Sequence, residues 1–208
     1  MDAEPAGLVG PLRLYMVRHG ETAWSLTGQH TGRTDLALTT EGEREARSLK
    51  RLLDGIHFDT VFTSPALRAR RTYELAGPVL PAAVVEPDLA EWDYGIYEGK
   101  TSGDIRKDRA GWNIYRDGCP RGESPDDVSN RADRFIARLR RLGGRVALFS
   151  HGQFGSSLAA RWIGLPVMQA QHFLLGTASL SILGINPSHP GLHVIAGWNI
   201  SPEMDLSG

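Results

Sequence analysis

The feature that most constrains this chain is a pair of apolar runs, "LRLYMV" and "RVALF", each stopping on a polar residue followed by His-Gly: Arg18-His19-Gly20 and Ser150-His151-Gly152. Short runs so nearly continuous in apolar character read as strands buried on both faces. Such strands belong to parallel sheets covered by their crossover helices. A third run, "TVFTS", ends at Ser64-Pro65 with Arg68 one turn further on. In parallel sheets, ligands collect at the carboxyl ends of the strands, where loops and helix N-termini offer free backbone N–H groups. Three sequence-distant segments should therefore deliver two imidazoles and two guanidiniums to one cavity.

Helical periodicity fills the intervals. "TTEGEREARSLKRLLDG" predicts a helix with Thr39 or Thr40 near its N-cap, a stripe through Ala46, Leu49 and Leu53, and Gly55 near its end. "ALRARRTYELAG" predicts a second, with Pro65 in its first turn. "SPDDVSNRADRFIARLRRLGG" is the clearest: Ser124 caps it, Pro125 and Asp127 follow, and Val128, Ala132, Phe135, Ile136 and Leu139 form one apolar face. "FGSSLAARWIG" predicts another helix, before apolar stretches near Leu180 and Val194. The expected fold class is α/β, a three-layer α/β/α sandwich with a mainly parallel central sheet, in one domain spanning residues 1–208. The segment at about 91–124, rich in Gly, Trp, Tyr and charge, reads as an insertion over one edge, a ligand-facing lid rather than core.

Composition narrows the function classes. A chain of 208 residues, 41% hydrophobic and 23% charged, suits one core. Lys plus Arg number 23 against 24 for Asp plus Glu, so no global charge draws the protein to nucleic acid or anionic lipid. No stretch approaches the ~20 apolar residues of a membrane span, and Asp2 and Glu4 stand where a secretory signal needs basic residues. The single Cys119 excludes an intramolecular disulfide and a thiolate cluster. These features point to the cytoplasm, with no nucleic-acid or membrane partner; a homodimer is the default assembly.

Taken one at a time, the polar pieces have ordinary structural readings. Arg-His-Gly suits a surface turn, Arg68 a solvated helix face with Arg70 and Arg71, Glu91 an ion pair, and Trp92, Tyr94 and Tyr97 a core. Taken in order at strand ends, they describe a pocket for a dianion, because arginine forks match phosphate oxygens with charge-assisted bonds. A zinc hydrolase fits poorly: the seven histidines include no HExxH pattern. A serine hydrolase fits worse, for want of a Gly-x-Ser-x-Gly elbow. No metal and no other cofactor is expected.

Four motifs carry a resemblance. "RHGET", "SPALRARRT", "EWDYGIYEG" and "SHG" resemble, in order and over nearly the whole chain, the histidine phosphatase superfamily, which includes the cofactor-dependent phosphoglycerate mutases and many phosphatases. The resemblance implies that His19 becomes phosphorylated, that Arg18, Arg68 and a positively polarised His151 bind the phosphoryl group, and that Glu91 supplies the acid. "HTGRTDLALTTEG", "AEWDYGIYEG" and "GWNIYRDGCPRGES" are closest to the branch of fungal sedoheptulose 1,7-bisphosphatase and mycobacterial phosphoglycerate-mutase-like acid phosphatases. Two features depart from the mutases: Ser25 in place of their usual asparagine, and "EWDYG" in place of "ERHYG". The implied activity is a metal-independent phosphatase of small phosphorylated metabolites, with a sugar bisphosphate as the favoured substrate. Phosphoglycerate mutase is the runner-up. A non-catalytic phospho-ligand-binding protein comes third, since both His19 and Glu91 remain. The same segments imply substrate contacts at Ser25, Thr31, Gly32, Trp92, Tyr94, Trp112 and Gly152. Arg33, Lys100, Arg106 and Arg116 lie in loops where a second phosphate could be met, against their ordinary reading as solvated surface charge.

Overall fold

In a computed structural model that describes residues 10–77 and 80–202, six strands form one sheet in the order β3-β2-β4-β1-β5-β6. They are β1 (Arg13–Arg18), β2 (Thr60–Thr63), β3 (Val84–Val85), β4 (Arg145–Ser150), β5 (Leu180–Asn186) and β6 (His189–Ile200). The first four run parallel; β5 pairs antiparallel to β1, and β6 pairs antiparallel to β5 at the edge. Asp2 and Glu4 lie outside the described residues, among which no helix is long and apolar enough to cross a membrane.

The apolar runs form the central strands because only there are both faces covered. Leu14, Met16, Val146 and Leu148 enter one core cluster, while Tyr15, Val17, Ala147 and Phe149 enter the other, as side-chain alternation along a strand requires. The helices divide accordingly. Between β1 and β3 come α1 (Ala23–Thr27), α2 (Thr40–Ser48), α3 (Lys50–Leu53) and α4 (Leu67–Ala76). Leu49, Leu53 and Ala76 from this group join the second cluster. After β3 come α5 (Ser102–Asp108), α6 (Ile114–Asp117) and α7 (Pro125–Leu142), then α8 (Gly152–Trp162) beyond β4. The α7 stripe, Val128, Ala132, Phe135, Ile136 and Leu139, is fully or almost fully buried in the first cluster. Its start is fixed by a reciprocal capping box between Ser124 and Asp127.

Three local expectations change. The predicted helix over residues 39–55 breaks at Leu49, where the Ser48 hydroxyl donates to the Glu45 carbonyl at 2.6 Å and competes with the backbone ladder. Pro65 precedes the next helix instead of sitting in its first turn. Ala66 is the N-cap residue there and has no side-chain cap bond, and Asp35 Oδ1 accepts the Leu67 N–H at 2.7 Å from a distant loop. Most consequentially, the 91–124 segment turns most of its apolar side chains inward, Ile96 excepted: Trp92, Tyr94, Tyr97, Ile105, Trp112, Ile114 and Cys119 all belong to the first cluster. Aromatic residues in a polar stretch satisfied both readings, and burial of their large apolar area decides for the core.

Candidate active site

Sheet order assembles the site. β2, β4 and β1 are adjacent, with Thr63 opposite Phe149 and Arg18 opposite Ser150. The strand ends are then tied together beyond the ladder: Ser64 N donates to Phe149 O at 2.9 Å and His19 N to Ser150 O at 3.0 Å. His19 and His151 therefore leave neighbouring strands side by side, and their rings meet edge to face with centroids 5.2 Å apart.

The His19 tautomer follows from one contact. Its Nδ1 lies 2.7 Å from the carbonyl oxygen of Gly20, which can only accept, so Nδ1 carries the proton and Nε2 keeps a free lone pair. Burial, then the charges of Arg68 and Arg18, hold the pKa of His19 well below the usual histidine value, so the ring is neutral. The loop behind it is set by backbone packing. A Cβ at Gly20 would lie 2.3 Å from the Gly42 carbonyl oxygen, and one at Gly42 would lie 2.1 Å from that of Glu21. Gly20 N also donates to Thr72 Oγ1 at 3.0 Å, linking the loop to α4.

Arg68 is fully buried, not a member of a solvated basic face. Its terminal nitrogens donate to the carbonyls of Thr31, Gly32 and Thr34 at 3.0–3.1 Å. That loop is in turn held by Glu98, which accepts from the N–H groups of Gly32 and Thr34. Arg18 donates through Nη1 to the Leu175 carbonyl and lies against Gly152, where a Cβ would sit 3.4 Å from the guanidinium carbon. Desolvation lowers both arginine pKa values, yet a guanidinium stays charged.

His151 is expected to be positively polarised, and what it offers is the N–H of a neutral ring rather than a full charge. Burial, then the charges of Arg68 and Arg18, push its pKa well below the usual value, so it is a neutral imidazole. Its Nε2 lies 2.7 Å from Ser64 Oγ. Among the described residues, the buried side-chain polar atoms without a partner are Arg18 Nε, Arg68 Nε and His151 Nδ1. Orphaned buried donors are rare, and here they come from the residues around His19.

Glu91 is 8% exposed and fixed in orientation. Its Oε1 accepts from Trp92 N at 2.9 Å and Phe154 N at 2.8 Å, while Oε2 accepts from Gln153 N at 3.1 Å. Desolvation raises its pKa above the usual carboxylate range, and the three backbone N–H groups and Arg68 only partly oppose this. With both lone pairs of Oε1 occupied, Oε2 is the atom that can take a proton.

Glu91 stands between two cavities. One of about 210 Å³ contains Arg18, His19, Ser25, Thr31 and Tyr94; the other, of about 480 Å³, contains Gly32, Arg33 and Ser64. Of the expected substrate contacts, Ser25, Thr31, Tyr94 and Gly32 thus face a cavity, while Gly152 lies beneath Arg18. Trp92 and Trp112 do not: both are buried, with indole N–H groups donating to the carbonyls of Glu123 and Gly118. Lys100, Arg106 and Arg116 line neither cavity. Sequence reasoning missed Ser64 as a partner of His151, Thr72, Glu98, and His30, which stacks on Tyr94 at 4.5 Å. Ser64 alone carried a signal, occupying after β2 the place that the histidine motifs occupy after β1 and β4. Among the described residues, no cluster of His, Cys, Asp or Glu could hold a metal ion.

Comparison with known proteins agrees with this layout. The family model for the histidine phosphatase superfamily, branch 1, matches residues 14–198. An acid phosphatase of Mycobacterium tuberculosis is 43% identical over 176 residues, 83% of this chain and 86% of that one. A sedoheptulose 1,7-bisphosphatase of Saccharomyces cerevisiae is 40% identical over 188 residues, 76% of this chain and 69% of that one. The solved structure of an open reading frame from Mycobacterium tuberculosis superposes with a TM-score of 0.86 at 37% identity, covering 92% of this chain and 99% of that one.

Proposed function

Because the chain belongs to branch 1 of the histidine phosphatase superfamily, we propose that it hydrolyses phosphomonoesters of small metabolites, sugar phosphates among them, through a phosphohistidine on His19. The observation that carries this reading is the set of buried, unpartnered nitrogens on Arg18, Arg68 and His151 around a neutral imidazole with a free Nε2.

In the first step the Nε2 lone pair of His19 attacks phosphorus in line, forming the N–P bond as the P–O bond to the alcohol breaks. Positive charge developing on the ring is stabilised by the Gly20 carbonyl at Nδ1. Arg18, Arg68 and the Nδ1–H of His151 spread the charge of the transferring oxygens. For His151 to donate from Nδ1, its Nε2 must accept, so the Ser64 hydroxyl donates to it. The leaving alkoxide takes the proton of Glu91 Oε2, which burial keeps available. In the second step ionised Glu91 removes a proton from water, whose oxygen attacks phosphorus. The N–P bond breaks and returns its electron pair to His19. The single buried cysteine, its thiol pushed up to about 12 by burial, suits a reducing cytoplasm.

The reading is tested by acid-stable and acid-labile phosphate analysis of enzyme quenched during turnover. We expect one acid-labile phosphoryl group on the peptide carrying His19, absent in His19→Ala together with hydrolysis. Hydrolysis that survives His19→Ala would refute it. So would conversion of 3-phosphoglycerate to its isomer, primed by 2,3-bisphosphoglycerate, without release of phosphate.

A further inference from the structure

The half of the substrate that is not phosphoryl must fit the cavities that meet at Glu91, and their charge limits what that half can be. The smaller cavity meets it with Gln29, His30, Thr31, Ser102 and Gln153: hydroxyls, amides and an imidazole. His30 Nε2 is 3.1 Å from Ser102 Oγ, and burial with the nearby Arg106 charge lowers its pKa to about 4, leaving it neutral at pH 7. Among the described residues lining this cavity, the only arginine or lysine is Arg18, which the phosphoryl group engages.

The larger cavity has two arginines, each already matched. Arg33 Nη2 is 2.7 Å from Asp93, and Arg131 Nη2 is 2.8 Å from Glu123, which it grips through Nε as well. Asp35 adds a third carboxylate to the wall, so its formal balance is negative even before Glu91 is counted. Arg33 is 82% exposed at its side chain and could swing, but Asp93, only 17% exposed, would then face an incoming anion without its partner. Like charges so placed select against the wrong ligand.

Resting on the phosphatase reading above, we propose that the enzyme selects phosphomonoesters whose alcohol half is uncharged and rich in hydroxyls. A second phosphate or a carboxylate on that half is disfavoured, with Asp93 denying Arg33 to it. It runs against a favoured sugar bisphosphate and leaves Arg33 with its ordinary reading as a solvated surface charge.

The test uses matched pairs: glycerol 3-phosphate against 3-phosphoglycerate, and fructose 6-phosphate against fructose 1,6-bisphosphate, with released phosphate as the readout. We expect kcat/KM to favour the member whose alcohol half is uncharged by ~10-fold or more in each pair. Asp93→Asn keeps an oxygen for the Gly95 N–H, which Oδ1 accepts at 3.0 Å, but releases Arg33. It should narrow both ratios by ~3-fold or more. A wild type that prefers the charged members, or ratios that Asp93→Asn leaves unmoved, overturns the proposal while phosphohistidine formation stands. If no member nor 4-nitrophenyl phosphate is hydrolysed and His19 takes up no phosphate, the phosphatase reading falls, and this proposal with it.

Discussion

Replacing Glu91 by Gln isolates the proton from everything else the side chain does. The amide oxygen takes the place of Oε1 and keeps the bonds from Trp92 and Phe154, so the residue stays in position. The amide nitrogen then replaces Oε2 and confronts the Gln153 N–H donor to donor, at a separation now 3.1 Å. That mismatch should cost about 1–3 kcal/mol of stability. Proton transfer to the leaving alkoxide is lost outright, which should lower kcat/KM for an alkyl phosphate by ~10²–10⁴. The assay is kcat/KM for glycerol 3-phosphate beside 4-nitrophenyl phosphate, since this ratio constant reports only the steps through departure of the alcohol. Nitrophenolate leaves without a proton, so its kcat/KM should fall far less, while a burst of nitrophenol should reveal slowed hydrolysis of the phosphoenzyme. The wild-type constant for the alkyl ester should also decline as pH rises through the elevated pKa of Glu91, a limb that the variant lacks. Equal losses for both esters would refute the role of Glu91 as the acid.

Three further outcomes follow from particular contacts. Ser64→Ala leaves His151 Nε2 without its hydroxyl partner and should lower kcat/KM by ~10-fold at a stability cost of about 1–3 kcal/mol; an unchanged constant would show that the Ser64 bond does not set the tautomer. Gly42→Ala drives a methyl group into the Glu21 carbonyl and should destabilise the fold by about 1–3 kcal/mol in urea titrations while lowering kcat through the displaced His19 loop. His30, with its pKa lowered from 6.5 to about 4 on folding, binds its proton more readily when unfolded, so its contribution to stability is full above pH 6.5 and is lost as pH falls toward 4. Wild type should therefore lose about 1.4 kcal/mol per pH unit more than His30→Gln across that window, measured from urea midpoints.

Legibility of the sequence tracked locality. The strands carrying the histidine motifs, the α7 stripe and its Ser124-Asp127 cap were readable because each depends on residues a few positions apart. The convergence of Arg18, His19, Arg68, His151 and Glu91 was readable because parallel topology gathers strand ends, and the family motifs identified Glu91, which no strand end delivers. What failed depended on distant neighbours. Nothing near Leu67 announces Asp35 as its cap, nothing near Arg68 announces Glu98 as the clamp of the loop it binds, and the charge state of His151 is set first by burial beneath distant segments and then by arginines far away in sequence. Trp92 and Trp112 were placed on the wrong side because aromatic rings in a Gly-rich, charged stretch look alike whether they face a ligand or a core.

The pairing of Arg18 with Ser150 gives the ladder between β1 and β4 a duty outside support. A slip of one residue there would reverse which face each side chain of β1 occupies and carry one imidazole away from the other, while the count of backbone bonds would barely change. Turnover per refolded molecule is consequently a gauge of strand alignment finer than any measure of secondary structure: material that regains full circular dichroism but only part of its rate would betray misaligned chains.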